Sequence, residues 1–282
     1  MATFAPGAIE RIMSHPTTPD RSRLLRRILW AAAGIIVGGV VAIVLHMMLP
    51  HYVQASGKLL LLPLTGGNLE MPFFCNRPNP RGIVILGTGD GGWSYWEENT
   101  AKHLASKGYA VGGWDCRKFA DSRTYDYGQL CAGFLAAFKE VAKRCRGADK
   151  LPVWYAGWST GAEQSLAAAT AANRPHQLAG LLLVAPGSRG RYGLTASDLL
   201  GQTPTGPDTF SLAEMSQGLR GLPIVELAAE LDPLVDTEWL STYPGPKKIF
   251  HLSGVFHDMG GAGELFLSKL DESIAWTLKQ RH

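Results

Sequence analysis

One serine lies in a sequence context that favours nucleophilic chemistry. Ser159 is the central residue of Gly157-Trp158-Ser159-Thr160-Gly161, which matches the G-x-S-x-G pattern. The apolar segment VWYA precedes this pattern, and the helix-forming segment AEQSLAAATAA follows it. A strand–turn–helix arrangement of this kind holds a serine in a strained backbone conformation, and the flanking glycines relieve crowding between strand and helix. We therefore predict that Ser159 is a nucleophile rather than a structural loop serine.

A serine hydroxyl needs a base that accepts its proton. In chains with this strand–turn–helix arrangement, which is called a nucleophile elbow, the acid and the histidine follow the serine in that order, each after a later strand. His257 lies in a glycine-flanked loop between the apolar segment KKIFHL and the last helical pattern. His251 lies inside that apolar segment, where it is expected to pack or to face solvent. We predict that His257 is the base.

The acid that orients the base is expected after the apolar segment PIVELAA. Three carboxylates follow its end within one turn: Glu230, Asp232 and Asp236. We predict that Asp232 is the acid, because it lies where the loop should begin and its short side chain can reach His257. Glu230 and Asp236 stay open as alternatives. Asp258, beside the base, is expected at the surface or at the entry of the last helix.

Acyl transfer also requires hydrogen-bond donors for the developing oxyanion. One is expected to be the backbone N–H of Thr160, directly after the nucleophile. The second is expected from the loop GTGDGGW at residues 87–93, around Gly89, Asp90 and Gly91, since glycine lets a backbone approach a substrate closely. This loop lacks the lysine of a phosphate-binding loop and the GxGxxG pattern. An ordinary turn is the alternative interpretation.

Short apolar segments alternate with helical patterns around these residues. The predicted strands are 82–86, 110–114, 152–156, 180–184, 223–227 and 247–252. The predicted helices are 95–107, 127–146, 160–173 and 262–280. This alternation predicts an α/β fold, with a mostly parallel sheet covered by helices on both faces. Residues 186–220 are rich in Gly, Pro, Ser and Thr and could form a small lid over the strand ends.

The N-terminal region has the pattern of a membrane anchor. Residues 28–49 form a 22-residue stretch without Asp, Glu, Lys or Arg. As a helix this stretch spans roughly 33 Å, which exceeds the bilayer's hydrocarbon core of about 30 Å. Residues 1–27 carry five Arg against two acidic residues, which predicts a cytoplasmic tail. The string VQA would allow signal-peptidase cleavage after Ala55, but residues 28–49 are longer than a usual signal-peptide core.

The predicted organisation is therefore a single-pass inner-membrane protein. A tail at 1–27 and a transmembrane helix at 28–49 precede a linker at 50–67, whose LLLLPL segment could be an edge strand. Residues 68–282 are predicted to form the α/β domain, on the periplasmic side of the membrane.

Composition excludes several other classes of function. The net charge of +3 lies entirely in the tail, since residues 50–282 hold 22 basic and 22 acidic side chains. A neutral domain is a poor candidate for nucleic-acid binding. The four cysteines form no CxxC pair, so a zinc ribbon or a thioredoxin-like site is unsupported. No metal and no cofactor are expected. A disulfide stays open in an oxidising compartment, although Cys131 and Cys145 are expected on one helix, about 21 Å apart and unpaired.

Several motifs together resemble the VirJ/AcvB family of bacterial virulence proteins. They are ILGTGDGGW, KGYAVGGWD, GWSTGAE and the late FHD, and the resemblance covers roughly residues 68–282. It implies an α/β-hydrolase fold, with Ser159 on the family's nucleophile, Asp90 on its GDGGW acid and His257 on its late histidine. The chain departs from the family at Thr160, where the family has Phe, and at Phe256, where it has the first histidine of a pair.

The resemblance also implies a substrate. AcvB-type members are periplasmic and hydrolyse lysyl-phosphatidylglycerol, so an aminoacylated lipid ester is implied here. A membrane anchor would raise the effective concentration of such a lipid, and Asp90 or Glu163 could bind its cationic group. Two other interpretations stay open: a non-catalytic periplasmic virulence or secretion-associated factor on the same fold, and a general esterase or lipase. The sequence indicates no protein partner.

Overall fold

The structure is a computed structural model that describes residues 21–49, 52–259 and 262–280. The chain divides into two compact units, Met1–His46 and Met47–His282. The described part of the first unit is helical and belongs to α1, which runs from Arg21 to Met48. Its segment Leu25–His46 is long and apolar enough to cross a membrane, and none of it is buried. This segment overlaps the predicted anchor and is a candidate membrane span.

The described residues of the second unit contain ten strands. They are β1 Lys58–Leu64, β2 Gly67–Phe74, β3 Ile83–Gly87, β4 Ala110–Trp114, β5 Val153–Trp158, β6 Leu178–Val184, β7 Arg189–Arg191, β8 Thr209–Ser211, β9 Ile224–Ala229 and β10 Lys247–Leu252. Eight of them form one sheet in the order β1-β2-β4-β3-β5-β6-β9-β10. The six strands from β4 to β10 in this order pair in parallel, and β1 and β2 add an antiparallel edge. The predicted mostly parallel sheet is confirmed.

Helices connect and cover these strands. They are α2 Tyr95–Ser106, α3 Cys116–Ser122, α4 Tyr127–Ala142, α5 Thr160–Ala169, α6 Ala196–Leu199, α7 Leu212–Ser216, α8 Glu238–Ser241 and α9 Gly263–Lys279. Capping boxes fix the starts of the two long helices before the nucleophile, with Ser94 and Glu97 at α2 and Asp126 and Gln129 at α4.

The core lies on both faces of the sheet because successive strand residues point in opposite directions. Ile83 and Ile85 of β3 pack into a cluster with side chains of α4 and α5. Val84 and Leu86 of the same strand pack into a second cluster with side chains of α2 and α9. A strand buried on both faces reads as a continuous apolar segment, which explains why GIVIL at 82–86 was recognisable.

The sequence-based boundaries differ from the structure in a few places. The predicted helix 127–146 ends at Ala142, and Gly147 then adopts a left-handed conformation with φ of 68°. The expectation that Cys145 shares a helix with Cys131 is therefore wrong. All four cysteines are free in the structure. The region 186–220, predicted as a lid, contains the β7–β8 hairpin together with α6 and α7.

Candidate active site

The turn between β5 and α5 forces Ser159 into a strained backbone conformation. Its φ and ψ are 51° and −123°, in a region that residues with a side chain rarely adopt. Glycine is required on either side because the backbones approach closely. A Cβ at Gly157 would lie 2.4 Å from the backbone of Gly161, and a Cβ at Gly161 would lie 2.4 Å from the backbone of Gly87. The strand–turn–helix geometry inferred from the motif is present.

Ser159, His257 and Asp232 form a continuous hydrogen-bonded chain. His257 Nε2 lies 3.1 Å from Ser159 Oγ, and His257 Nδ1 lies 2.6 Å from Asp232 Oδ2. The Asp232 side chain is 0% exposed. His251 lies in β10 and is exposed, as is Asp258. The structure thus brings together the three residues predicted to form a triad, and their role in catalysis stays a prediction.

The two alternative acids have other hydrogen-bond partners. Glu230 Oε2 accepts the backbone N–H of Gly254 at 3.0 Å, which ties the loop after β10 to the end of β9. Asp236 Oδ1 accepts the backbone N–H of Glu238 at 2.9 Å, at the start of α8. Neither contact involves the imidazole, so Asp232 is the carboxylate that the structure pairs with His257.

The glycine-rich loop is held by a residue that the sequence analysis missed. Glu97 Oε1 accepts the backbone N–H of Gly89 at 3.2 Å, and its Oε2 accepts the N–H of Ser94 at 2.9 Å. Burial raises the pKa of Glu97 to about 7, although these hydrogen bonds oppose the shift. The Gly89 N–H thus already donates to Glu97 and is not free to donate to an oxyanion. Thr160 begins α5, and the N–H groups in the first turn of a helix have no partner within that helix, so the Thr160 N–H can donate to an oxyanion. The S-x-x-E capping signature at Ser94 could have revealed Glu97.

Asp90 follows Gly89 in this loop and is half-buried. Burial raises the pKa of its carboxyl, while the charge of His257 and backbone hydrogen bonds from Gly91 and from Asp90 itself act in the opposite direction. The carboxylate therefore helps to order its own loop.

A cavity of about 260 Å³ opens beside Ser159. Four carboxylates line it: Asp90, Glu163, Asp198 and Asp236. Glu163 lies in the first turn of α5, and its Oε1 accepts the N–H of Gly187 at 3.2 Å. Burial raises the pKa of Glu163 to about 8, and the charges of Asp198 and Asp90 add to the shift. Arg189 and His257 line the same cavity, so its lining combines four carboxylates with two basic side chains.

The lid region supplies the outer wall of the cavity. Arg191 Nε and Asp198 Oδ2 form an ion pair at 2.9 Å, with both side chains largely buried. Arg189 Nε donates to the backbone oxygen of Pro204 at 3.2 Å and thereby fixes the following loop. Asp198 Oδ1 is buried and has no hydrogen-bond partner among the described residues. Sequence reasoning missed Asp198, because its distance in sequence from Ser159 carries no signal of proximity.

No group of three or more His, Cys, Asp or Glu within residues 21–49, 52–259 and 262–280 is arranged to hold a metal ion.

Comparison with known proteins identifies the fold. Residues 78–205 match the family model of serine aminopeptidase, S33. No curated protein matches the sequence. Similar solved structures include a putative dienelactone hydrolase from Klebsiella pneumoniae, at 14% identity and a TM-score of 0.59, covering 78% of this chain and 97% of that chain. Est1E from Butyrivibrio proteoclasticus is 14% identical with a TM-score of 0.56, covering 79% and 100%.

A third similar structure comes from work on LipS and LipT, two metagenome-derived lipolytic enzymes. It is 16% identical with a TM-score of 0.53, covering 77% of this chain and 99% of that chain. Identities this low establish the fold and leave substrates open. The strand order, the family match and these structures together show that the chain has the α/β-hydrolase fold and support its place in the α/β-hydrolase superfamily.

Proposed function

We propose that this protein is a serine hydrolase that cleaves carboxylic esters through an acyl-enzyme. The observation that carries the proposal is the hydrogen-bonded chain from Asp232 through His257 to Ser159 at a strained elbow. It includes a nucleophile, a base within reach and a buried carboxylate that orients the base. The family match and the lipolytic and esterase-type structural neighbours support a hydrolase.

The chemistry follows from these distances. His257 Nε2 accepts the proton of Ser159 as Oγ attacks the ester carbonyl, and Asp232 stabilises the imidazolium that forms. The Thr160 N–H donates to the oxyanion, together with a second backbone N–H from the glycine-rich loop. The imidazolium then protonates the leaving alkoxide. Water, deprotonated by the same imidazole, releases the acyl group from Ser159.

The favoured substrate is an aminoacyl ester, specifically lysyl-phosphatidylglycerol. The cavity beside Ser159 is small and lined by carboxylates, which suits a short cationic acyl group better than a fatty acyl chain. The resemblance to the VirJ/AcvB family points to the same lipid. The candidate span Leu25–His46 would hold the domain at the membrane, and the arginine-rich tail would keep the domain on the periplasmic side.

A two-step assay tests this function. Purified full-length protein in detergent is first treated with a fluorophosphonate probe, which labels only an activated serine, and then assayed for lysine release from lysyl-phosphatidylglycerol. We expect labelling at Ser159 and lysine release, with both lost in Ser159→Ala. Absence of labelling would favour the non-catalytic factor. Labelling with turnover of short-chain esters, but not of aminoacyl lipids, would favour a general esterase.

A further inference from the structure

Six exposed apolar side chains lie on the loops and helix starts at the edge of the sheet where the cavity opens. We define this apolar rim by six residues that are each 41% to 73% exposed: Tyr95, Leu200, Leu231, Leu234, Phe256 and Leu265. Single exposed apolar residues are common on soluble domains, but a concentrated group marks an interaction surface. The rim residues come from five separate segments of the chain, so their proximity is a product of the fold.

One half of the apolar rim joins the loops after β9 and β10 to the lid. The Leu231 N–H donates to the backbone oxygen of Val255 at 2.9 Å, which brings Leu231 close to Phe256. Leu234 lines the cavity. It also packs near Gly201, where a Cβ would lie 3.3 Å from the leucine side chain, and Leu200 precedes this glycine.

The other half continues from the base to the starts of α2 and α9. The ring of Trp158 lies 5.4 Å from that of His257 and 5.7 Å from that of Trp96. Trp96 in turn lies 5.2 Å from Phe266. Tyr95 and Leu265 are the chain neighbours of these last two aromatic residues. Both halves therefore border the same edge of the sheet, where the parallel strands end.

The chain enters the domain at this same edge. The Val53 N–H donates to the backbone oxygen of Trp93 in the glycine-rich loop at 2.8 Å, and the Ser56 N–H donates to Glu98 Oε1 at 3.1 Å. Helix α1 ends at Met48, four residues before Tyr52. Four residues reach at most about 14 Å, so the end of α1 is tethered within that distance of Tyr52.

We propose that the apolar rim docks on the surface of the lipid bilayer that α1 crosses, with the mouth of the cavity facing the lipid headgroups. The docking surface depends on α1 being a membrane span and does not need the hydrolase assignment. Its consequence, that a membrane lipid enters the cavity from the bilayer plane, rests on the proposed function. The side chains of the rim provide the apolar area that interfacial binding requires.

Site-specific photocrosslinking tests the docking itself. Full-length protein carrying benzoyl-phenylalanine at Tyr95 or at Leu265 is reconstituted into vesicles of phosphatidylethanolamine and phosphatidylglycerol and then irradiated. Leu278 is the matched control, because it is 38% exposed on the same helix as Leu265 and lies about 20 Å further along it. We expect phospholipid adducts at Tyr95 and Leu265 and few at Leu278. Equal labelling at all three positions, or crosslinks between protein copies in place of lipid adducts, would overturn the proposal.

Turnover measurements separate this inference from the proposed function. The double variant Tyr95→Ser/Leu265→Ser should lose about tenfold or more of its turnover of an aminoacyl lipid in vesicles. Its turnover of a water-soluble short-chain ester should match that of Leu278→Ser. An equal loss on both esters would contradict a surface role. If neither ester is hydrolysed by the unmodified protein, the proposed function fails, while the lipid adducts still decide the docking.

Discussion

Replacement of Asp232 by asparagine tests the central part of the site with little disturbance of the fold. Asp232 Oδ1 accepts the N–H of Leu234 at 2.8 Å, and an asparagine oxygen can keep that bond. The asparagine NH₂ then faces His257 Nδ1, where Asp232 Oδ2 lies at 2.6 Å in the unmodified protein. A donor at this point favours the tautomer that carries its proton on Nε2. Nε2 could then no longer accept the proton of Ser159.

The expected magnitude follows from the wrong tautomer and the lost charge. In Ser-His-Asp triads, an Asp→Asn change with intact geometry lowers kcat by about 10⁴-fold, which corresponds to about 5 kcal/mol of transition-state stabilisation. The Asp232 carboxylate is fully buried and the His257 side chain is 28% exposed, so solvent screens their interaction only from the imidazole side. We therefore expect an effect of this order. KM should change little, because Asp232 does not line the cavity.

The assay compares kcat and thermal unfolding for Asp232→Asn, Glu230→Gln and Asp236→Asn. Both comparison variants keep their acceptor oxygens for the N–H groups of Gly254 and Glu238. Glu230→Gln should keep kcat within about threefold of the unmodified protein. Asp236→Asn should also keep kcat but raise the KM for a cationic acyl substrate, because Asp236 lines the cavity. A nearly unchanged kcat for Asp232→Asn, together with a large loss of kcat for Glu230→Gln, would refute this assignment. That result would make Glu230 the acid of the triad.

Four further predictions follow from the site and the chain organisation. Ser159→Ala should abolish turnover and fluorophosphonate labelling, because no acyl-enzyme can form. The thermal unfolding midpoint should shift little. Substantial residual turnover would contradict the role of Ser159 as the nucleophile. Glu97→Gln places an NH₂ donor against the N–H of either Gly89 or Ser94, so one of the two hydrogen bonds is lost. This variant should lower kcat by about 10- to 100-fold, with unchanged secondary structure by circular dichroism. An unchanged kcat would mean that the glycine-rich loop does not need Glu97. Glu226 is fully buried in β9, and its carboxylate oxygens lack hydrogen-bond partners among the described residues. Burial raises its pKa from 4.5 to about 8. Its contribution to stability is therefore fully present below pH 4.5 and falls by at most about 5 kcal/mol as the pH rises to 8. The free energy of unfolding in urea, plotted against pH over this range, should change less for Glu226→Gln than for the unmodified protein, and parallel plots would refute the raised pKa. Finally, alkaline phosphatase fused after residue 60 should be active if the domain is exported, and an inactive fusion would reverse the proposed topology.

Glu163, which lines the cavity, and Glu97, which holds the glycine-rich loop, occupy similar positions in their helices. Glu97 and Glu163 both lie in the first turn of a helix, where unpaired N–H groups favour acidic residues. Burial then raises the pKa of both carboxyls. Only a partner supplied by the fold, or by a ligand, can stabilise their ionised forms. Residues that serve as ordinary helix starts in the sequence therefore become features of the site in the folded protein.

The sequence alone determined the features that depend on neighbouring residues. The elbow was visible because close approach of β5 and α5 requires glycine at 157 and 161 and leaves Ser159 with a positive φ. The parallel sheet was visible because doubly buried strands form continuous apolar segments. The candidate membrane span was visible from its length and lack of charge. Each of these signals lies within about 30 residues of chain, where spacing translates directly into geometry.

Tertiary structure decided which distant side chains meet. Asp232, Glu230 and Asp236 are nearly equivalent in sequence, and only the relative placement of the loops after β9 and β10 pairs Asp232 with His257. In the same way, the convergence of Asp198 and Glu163 on one cavity, and the hold of Glu97 on Gly89, depend on packing between elements. Spacing along the chain fixes local conformation, whereas contacts across the sheet depend on the sum of many weak packing interactions that no short motif encodes.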